Sequence, residues 1–231
     1  MSPDAPLISV MIPAYNAGPY LGEALDSVFA QTYRPLEVIV ADDGSEDDTV
    51  EVARSYGEQV RLVQQKRGGN GAARNAAVAV AGGRYYAFLD ADDRFMPGKL
   101  EAQMRALDAD PELDVVFGHV REFVSPELPA EVKATIRPPA EPQPWAAPNL
   151  MLIRREAFEQ VGLFATNLRV GVTVDWYARA TEVPLKSFVL PEVLLERRLH
   201  TQNNGLREQD AQAQYIQVLK ASMDRRRQAQ R

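Results

Sequence analysis

The sequence predicts an α/β protein in which helices flank a mostly parallel central sheet. Short apolar runs suited to buried strands alternate with stretches whose apolar residues recur at helical spacing. This β-α-β-α rhythm favours right-handed crossovers between parallel strands. Polar and acidic residues also follow several of these runs, as they do at the ligand-binding edge of an open α/β sheet.

The first half of the chain carries the clearest pattern. We expect five strands here, each a short apolar run, at 7–12, 36–41, 60–63, 85–89 and 115–117. Four helices alternate with them, around 21–29, 45–53, 71–81 and 100–107. Pro13 stops the first strand, either Ser45 or Asp47 is suited to cap the second helix, and Gly82 follows the end of the third helix.

The pattern changes at Ser125. Seven prolines crowd the segment 125–148, and proline removes backbone donors, so we expect a loop or an extended arm rather than a buried element. A lid that faces the acceptor and a mobile surface excursion both fit this composition. Beyond it we expect an apolar run at 150–153 that leads into a helix up to 158, and a second helix from 175. Two strands should follow at 186–190 and 194–199, and a polar helix from about 208 should close the chain.

Length and composition limit the class of protein. The 231 residues suit one large domain, and the lack of cysteine excludes a disulfide framework and a thiolate nucleophile. A net charge of −6 argues against a nucleic-acid binder, whose affinity comes from neutralising phosphates. Neither a signal peptide nor an apolar stretch of roughly 20 residues is visible, so we expect a cytoplasmic protein without a transmembrane segment. The basic run 225–227 fits a solvated helix end or weak peripheral contact with an anionic membrane.

The most informative feature is the stretch 90–93, which contains Asp90, Asp92 and Asp93 directly after an apolar strand. Oxygen ligands of this kind suit a hard divalent cation such as Mg²⁺ or Mn²⁺, which is usually shared with substrate phosphates. The sequence therefore predicts a metal–diphosphate site. Three further polar clusters stand at strand ends, at 13–16, 42–45 and 198–203.

Taken together, these strings resemble the family-2 glycosyltransferases, whose catalytic domain has the GT-A fold. The resemblance runs from about Leu7 to Asn203 and is most specific in the ordered series 13–16, 42–45, 71–75 and 90–93. Weaker matches follow in the expected order, at 162–164, at Asp175 with Trp176, and at Arg198, His200 and Asn203.

The resemblance implies roles for these positions. Residues that would bind the nucleotide sugar are Pro13, Ala14, Tyr15, Asn16, Asp43, Arg74, Asn75, Asp90, Ala91 and Asp92. Asp43 would recognise the base, and Asp92 with His200 would hold Mn²⁺ or Mg²⁺. Asp90 would lie nearer the ribose or the sugar, or serve as a further metal ligand. Core packing is the alternative for Tyr15, and capping and packing are the alternatives for Arg74 and Asn75. Asp42, which ranks behind Asp43 for the base, could instead form a turn.

Asp175 would be the general base, which takes the proton of the acceptor hydroxyl. Here the chain departs from the family, because Val174 stands where another acid commonly precedes this residue. Asp175 could instead be a helix cap, and Trp176 could either stack on a sugar face or pack in the core.

The implied activity is inverting transfer of one sugar from a nucleotide donor, with a UDP-sugar as first candidate, to a hydroxyl acceptor on a glycan, lipid, peptide or small molecule. The alternative is a GT-A-like protein that binds nucleotide sugar without turnover. A dinucleotide-dependent oxidoreductase is disfavoured, because Arg74 stands where its third glycine would be. We expect one domain over 1–231: a nucleotide-sugar part at about 5–118, an acceptor part at 119–205 that includes the proline-rich loop, and a final helix at 206–231.

Overall fold

The computed structural model describes residues 5–201, 203, 218, 220–225 and 227. The described residues form nine strands: β1 (Ile8–Ala14), β2 (Leu36–Asp42), β3 (Val60–Gln64), β4 (Tyr85–Phe88), β5 (Arg94–Phe95), β6 (Val115–Val124), β7 (Gln143–Trp145), β8 (Leu152–Arg154) and β9 (Ser187–Leu199). The named helices are α1 (Gly18–Phe29), α2 (Thr49–Ser55), α3 (Asn70–Val78), α4 (Lys99–Ala109), α5 (Ala130–Lys133), α6 (Arg155–Val161) and α7 (Val172–Ala180).

One sheet runs through the molecule in the order β3-β2-β1-β4-β8-β6-β9-β5, and β7 pairs with β6 beside this path. The first four strands in this order are parallel, as the sequence predicted. The apolar runs of β1, β2 and β4 are largely buried on both faces because helices cover each side, whereas only Val60 of β3, at the end of the sheet, is buried. The α/β fold with flanking helices is therefore confirmed.

The second half of the sheet is mixed, since β8 is antiparallel to both β4 and β6, and β9 is parallel to β6. The cause is the proline-rich segment, which joins β6 to β8. Within this segment the chain turns back and forms β7, which pairs antiparallel with β6 before the chain enters β8. The chain therefore returns beside β6 in the opposite direction.

Several elements differ from the sequence-based expectations. The first strand runs through Pro13 to Ala14 instead of stopping at Pro13, and the short strand β5 was not expected. The proline-rich segment contains α5 and β7 instead of being a plain loop. The fifth strand extends to Val124, and the two strands expected at 186–190 and 194–199 form the single strand β9. Pro191 lies inside β9 at the point where the register against β6 shifts. A bulge at this point accommodates proline, which has no backbone N–H to donate.

Two layers of apolar side chains fix the helices on the sheet. One layer packs β1 residues such as Val10 against α1 and α4, and the other packs Met11 against α3, α6 and α7. Adjacent residues of β1 thus face opposite layers, as the twofold alternation of a strand requires. This packing sets the rigid frame on which the polar strand ends stand.

Most of the expected final helix lies outside the described residues. The residues of this region that the structure describes, 218, 220–225 and 227, are helical. Arg225 in this helix donates through Nε to Oε2 of Glu182 at 2.7 Å. None of the helices in the described part of the chain combines the length and the apolar character that a membrane crossing needs.

Candidate active site

The candidate site lies where the carboxyl ends of β1, β2 and β4 open onto one edge of the sheet. These strands deliver the stretches 13–16, 42–43 and 90–93. The end of β9 reaches the same place, because the main-chain N–H of Arg198 donates to Oδ1 of Asp93 at 3.0 Å. The polar clusters that the sequence placed at strand ends therefore meet at one edge.

Both carboxylate oxygens of Asp90 are engaged. Arg74 donates through Nη2 to Oδ1 at 2.5 Å, and Asn149 donates through Nδ2 to Oδ2 at 3.3 Å. Arg74 is 1% exposed, and its Nε and Nη1 have no hydrogen-bond partner among the described residues. Arg74 therefore orients Asp90 by a charge-assisted hydrogen bond and balances part of its charge.

Asp92 shares one oxygen with two residues from the end of β9. Its Oδ2 lies 2.8 Å from Nε2 of His200 and accepts a hydrogen bond from Nδ2 of Asn203 at 3.1 Å. No hydrogen bond or ion pair to Oδ1 is found among the described residues. This oxygen is thus the one that Asp92 can offer to a ligand. His200 itself is buried.

Asp93 is a fully buried member of the acidic stretch. Burial, followed by the charges of Asp92 and Asp90, raises the pKa of its carboxyl well above the usual range. Its oxygens accept hydrogen bonds from the main-chain N–H of Arg198 at 3.0 Å and from Nδ2 of Asn149 at 3.3 Å. Asp93 thus fastens β9 and the end of the proline-rich segment to the acidic stretch.

Arg198 is the buried link between the acidic stretch and two other elements. Its Nε donates to the main-chain carbonyl of Asp92 at 3.0 Å. Its Nη1 and Nη2 donate to Oγ of Ser125 at 3.1 Å and to Oε2 of Glu23 at 2.6 Å. The guanidinium therefore holds the loop after β4, the start of the proline-rich segment and α1 in fixed relation.

Asp43 holds a loop in place. Its Oδ1 accepts hydrogen bonds from Nε2 of Gln65 at 2.6 Å and from the main-chain N–H of Gly68 at 2.7 Å. Its Oδ2 accepts one from the N–H of Gly69 at 2.8 Å. The neighbouring Asp42 accepts from the N–H of Ser45 at 3.2 Å, which is the turn-forming role that the sequence left open for it.

Tyr15 and Asn16 lie beside this loop. The guanidinium of Arg67 stands 3.7 Å from the ring centre of Tyr15, a close cation–π contact at the place where the resemblance puts the base. The Oδ1 atom of Asn16 accepts from the N–H of Glu46 at 2.8 Å, and its own N–H donates to Oγ of Ser45 at 2.9 Å. The loops after β1 and β2 are thereby tied together.

The remaining small residues of the predicted donor site support the backbone. Pro13 and Ala14 are buried at the end of β1, where the carbonyl of Ala14 accepts from the N–H of Asp43 at 2.8 Å. Ala91 packs into the core below the acidic stretch. The amide of Asn75 exchanges two hydrogen bonds with the main chain of Phe164, at 2.9 and 3.0 Å, so its side chain fixes the segment before α7.

Asp175 lies in the first turn of α7 and is 9% exposed. It is not the cap of this helix, which is Gly171. Its Oδ2 accepts from Nε of Arg179 at 3.0 Å, and Arg179 also donates to the carbonyls of Val161 and Leu163, at 2.7 and 2.8 Å. No hydrogen bond or ion pair joins Asp175 to the acidic stretch in the part of the chain that the structure describes.

The two residues next to Asp175 in the chain lie in different environments. Val174 is 38% exposed, so an apolar side chain faces outward where the family commonly has an acid. Trp176 is buried, stacks on Phe158 with ring centres 5.5 Å apart, and donates through Nε1 to the carbonyl of Gly162 at 2.9 Å. Trp176 is therefore a core residue and cannot stack on a sugar in this arrangement.

Three residues at the site were missed by the sequence analysis: Tyr20, Asn149 and Arg179. Arg179 stands four residues after Asp175 on one helix, a spacing that signals an ion pair. Asn149 and Tyr20 have no such local signal, because their partners lie 56 and 107 residues away in the chain.

The residues present fit a divalent cation that takes most of its ligands from phosphates and water rather than from side chains. Asp92 and His200 supply one carboxylate and one imidazole, and the described residues contain no group of three or more acidic, histidine or cysteine side chains suited to hold a metal. Mg²⁺ in enzymes commonly binds one or two carboxylates and completes its shell with phosphates and water.

Comparison with known sequences gives the family. The sequence model of glycosyl transferase family 2 matches residues 9–162, which is more than half of the chain. An uncharacterised glycosyltransferase of Rickettsia prowazekii is 30% identical over 223 residues, which cover 88% of this chain and 68% of that protein. The chondroitin synthase of Pasteurella multocida is 30% identical over 237 residues, which cover 96% of this chain but 24% of the synthase.

Solved structures share the fold. Staphylococcus aureus TarS 1–349 in complex with UDP-GlcNAc has a TM-score of 0.67 at 20% identity, over 85% of this chain and 60% of that one. The mannosyltransferase PcManGT from Pyrobaculum calidifontis, in complex with GDP-Man and Mn²⁺, has a TM-score of 0.65 at 25% identity, over 86% of this chain and 59% of that one. The chain thus spans less than two thirds of these solved chains. The GT-A architecture expected from the sequence is confirmed, and the chain belongs to glycosyl transferase family 2.

Proposed function

We propose that this protein transfers one sugar from a nucleotide-sugar donor to a hydroxyl acceptor, with inversion at the anomeric carbon and with the help of Mn²⁺ or Mg²⁺. The observation that carries the proposal is the paired arrangement of Asp92 with His200 and of Asp90 with Arg74 at one edge of the sheet. TarS with UDP-GlcNAc supports a UDP-sugar as the donor to test first, and PcManGT with Mn²⁺ supports the cation.

The donor half of the site consists of the loops after β1, β2 and β4. Tyr15 offers a ring face to the base, and Asp43 sets the loop that closes over that ring. Asp90, oriented by Arg74, stands toward the ribose or the sugar, and Asp92 with His200 stands toward the diphosphate. When bound, the cation would act as a Lewis acid that offsets the negative charge gathering on the leaving diphosphate.

Asp175 is the proposed base on the acceptor side. Its carboxylate would take the proton of the acceptor hydroxyl as that oxygen attacks the anomeric carbon from the face opposite the departing nucleotide. The ion pair with Arg179 holds the carboxylate in one orientation. A glycan, a lipid, a peptide or a small molecule could supply the hydroxyl.

A second function, donor binding without turnover, is favoured by two observations. Val174 replaces the acid that commonly precedes the base, and the carboxylate of Asp175 is already paired with Arg179. Such a protein would bind UDP or a UDP-sugar and release no nucleotide product.

Incubation with a panel of UDP-sugars, with and without Mn²⁺, distinguishes the two functions. Under the enzyme hypothesis, at least one donor yields free UDP at a rate that EDTA abolishes and excess Mn²⁺ restores. Calorimetry with UDP provides the companion measurement. Binding of UDP without release from any donor supports the second function, and absence of UDP binding contradicts both.

A further inference from the structure

Tyr20 joins two parts of the site that lie far apart in the sequence. It occupies the first turn of α1, a helix anchored on the core by Leu21, Leu25 and Val28. The centre of its ring lies 4.7 Å from that of His200, with the two planes tilted by 42°. Its hydroxyl donates to Oε1 of Glu127 at 2.8 Å. One side chain therefore touches both a proposed metal ligand and the start of the proline-rich segment.

The contact with His200 restricts how the imidazole can turn. The main-chain N–H of His200 donates to Oδ1 of Asn203 at 2.6 Å, and Nε2 of its ring faces Asp92. The ring of Tyr20 packs against the imidazole from α1. A rotation of the imidazole away from Asp92 would thus have to displace a side chain that a rigid helix holds.

The contact with Glu127 extends the network to the proline-rich segment. The same oxygen of Glu127 accepts from Oγ of Ser125 at 2.6 Å, and Ser125 accepts from Nη1 of Arg198 at 3.1 Å. Arg198 in turn binds the carbonyl of Asp92. Burial and the hydrogen bond to Glu127 raise the pKa of Tyr20 to about 12, so the hydroxyl remains a donor at neutral pH.

These contacts form a closed ring. It passes from Asp92 through His200, Tyr20, Glu127, Ser125 and Arg198 and returns to Asp92. Tyr20 takes part in this ring through two different groups, its aromatic ring toward His200 and its hydroxyl toward Glu127.

We propose that Tyr20 is a positioning residue with two separable tasks. Its ring fixes the imidazole of His200 beside Asp92, and its hydroxyl, through Glu127, fixes the start of the proline-rich segment relative to that pair. The first task concerns cation-assisted binding of the donor diphosphate and so rests on the proposed function. The second concerns the free protein and does not.

Two substitutions separate the tasks. Tyr20→Phe keeps the ring and removes the hydroxyl, while Tyr20→Leu removes both. Tyr56 is a matched control, because it also packs against α1 and donates its hydroxyl to a carboxylate, that of Asp26, at 2.8 Å. Tyr56→Phe and Tyr56→Leu therefore lose comparable contacts away from the acidic stretch.

Calorimetry with UDP, in the presence and absence of Mn²⁺, tests the ring. In Tyr20→Leu the gain in UDP affinity due to Mn²⁺ should fall by about tenfold, the effect typical of losing a residue that orients a metal ligand. UDP affinity without Mn²⁺ should not change, and Tyr20→Phe and both Tyr56 variants should keep the full gain. If Tyr20→Leu does not fold, Tyr20→Met takes its place.

Hydrogen–deuterium exchange of peptides over 125–133 in the nucleotide-free protein tests the hydroxyl. Exchange there should be faster in Tyr20→Phe and in Glu127→Ala than in the wild type, and unchanged in Tyr56→Phe. Unaltered exchange in Tyr20→Phe overturns the second task.

An undiminished Mn²⁺ effect in folded Tyr20→Leu, in a background where the wild type binds UDP, overturns the first task alone. A wild type that binds no UDP overturns the proposed function and the first task together. The exchange measurement then still decides the second task.

Discussion

The Nε2 atom of His200 and the Oδ2 atom of Asp92 lie 2.8 Å apart, although 108 residues separate them in the chain. Asp92 comes from the turn after β4 and His200 from the end of β9, so the pair exists only because these two strand ends reach the same edge of the sheet. The carboxylate keeps some exposure, while the imidazole is buried behind it.

This pair gives the first prediction. Asp92→Asn and His200→Ala should each remove most of the effect of Mn²⁺ on UDP affinity, because each removes a ligand of the proposed cation. We expect a loss of about tenfold or more in the Mn²⁺-dependent gain, measured by calorimetry. His119→Ala is the control, since His119 lies on β6 and is the other of the two histidines in the sequence. A full Mn²⁺ effect in both site variants would contradict the assignment.

The second prediction concerns the proposed base. Asp175→Asn should leave UDP affinity unchanged and lower the rate of sugar transfer by about 10²–10⁴, the contribution of a positioned general base. Asp110→Asn also loses an ion pair, the one with Lys186 at 2.9 Å, and should transfer sugar at the wild-type rate. Near-normal turnover in Asp175→Asn would place the base elsewhere.

The third prediction tests the loop that Asp43 holds. Asp43→Ala removes acceptors from the N–H groups of Gly68 and Gly69 and should speed hydrogen exchange over residues 65–69. UDP affinity should fall as well, because this loop carries Arg67 over the ring of Tyr15. Asp42→Asn alters the turn at Ser45 instead and should leave hydrogen exchange over residues 65–69 unchanged. Slow exchange retained in Asp43→Ala would show that other contacts hold the loop.

The fourth prediction concerns stability and pH. Lys99 is completely buried, its Nζ donates to Oε1 of Gln103 at 2.7 Å, and burial lowers its pKa to about 7. Between pH 7 and about 10 the unfolded chain binds a proton at this lysine that the folded protein does not bind, so the free energy of unfolding rises with pH. The slope from this single group reaches about 1.4 kcal/mol per pH unit.

Lys99→Met removes this titration. The variant should melt at a higher temperature than the wild type at pH 7, and the difference should shrink as the pH rises toward 9.5. Measurements stop there because Tyr20, Tyr33 and Tyr56, whose pKa values are raised to about 12, would add the opposite trend at higher pH. A difference in melting temperature that does not depend on pH would show that Lys99 stays charged in the folded protein.

Much of the fold follows from local pattern. The runs that become β1 to β4 are short and apolar and alternate with helical patterns, so their order and direction could be predicted. The end of β6 and the course of β9 could not. Pro191 signals a strand break by itself, and only the bulge against β6 lets one strand continue through it.

The candidate site, like the fold, could be predicted from the sequence only in part. The motifs predict site roles for Asp90, Asp92 and His200, because carboxylate and imidazole side chains can be recognised from the sequence. The partners Asn149 and Tyr20 carry no pattern that marks them, since an asparagine after a proline and a tyrosine on a helix are ordinary residues. Likewise, the sequence leaves two roles open for Trp176, and packing against Phe158 and the bond to Gly162 decide for the core.

The sequence by itself determined the α/β class, the strand ends on which acidic residues stand, and the family. These properties depend on periodicity and residue type over short stretches of chain. Only the tertiary structure decided which oxygen of Asp92 is available, that Asp43 braces a loop, and that Tyr20 links His200 to Glu127. The physical reason is that hydrogen bonds and ring contacts act over about 3–7 Å in space, while the residues they join lie tens of positions apart in the chain.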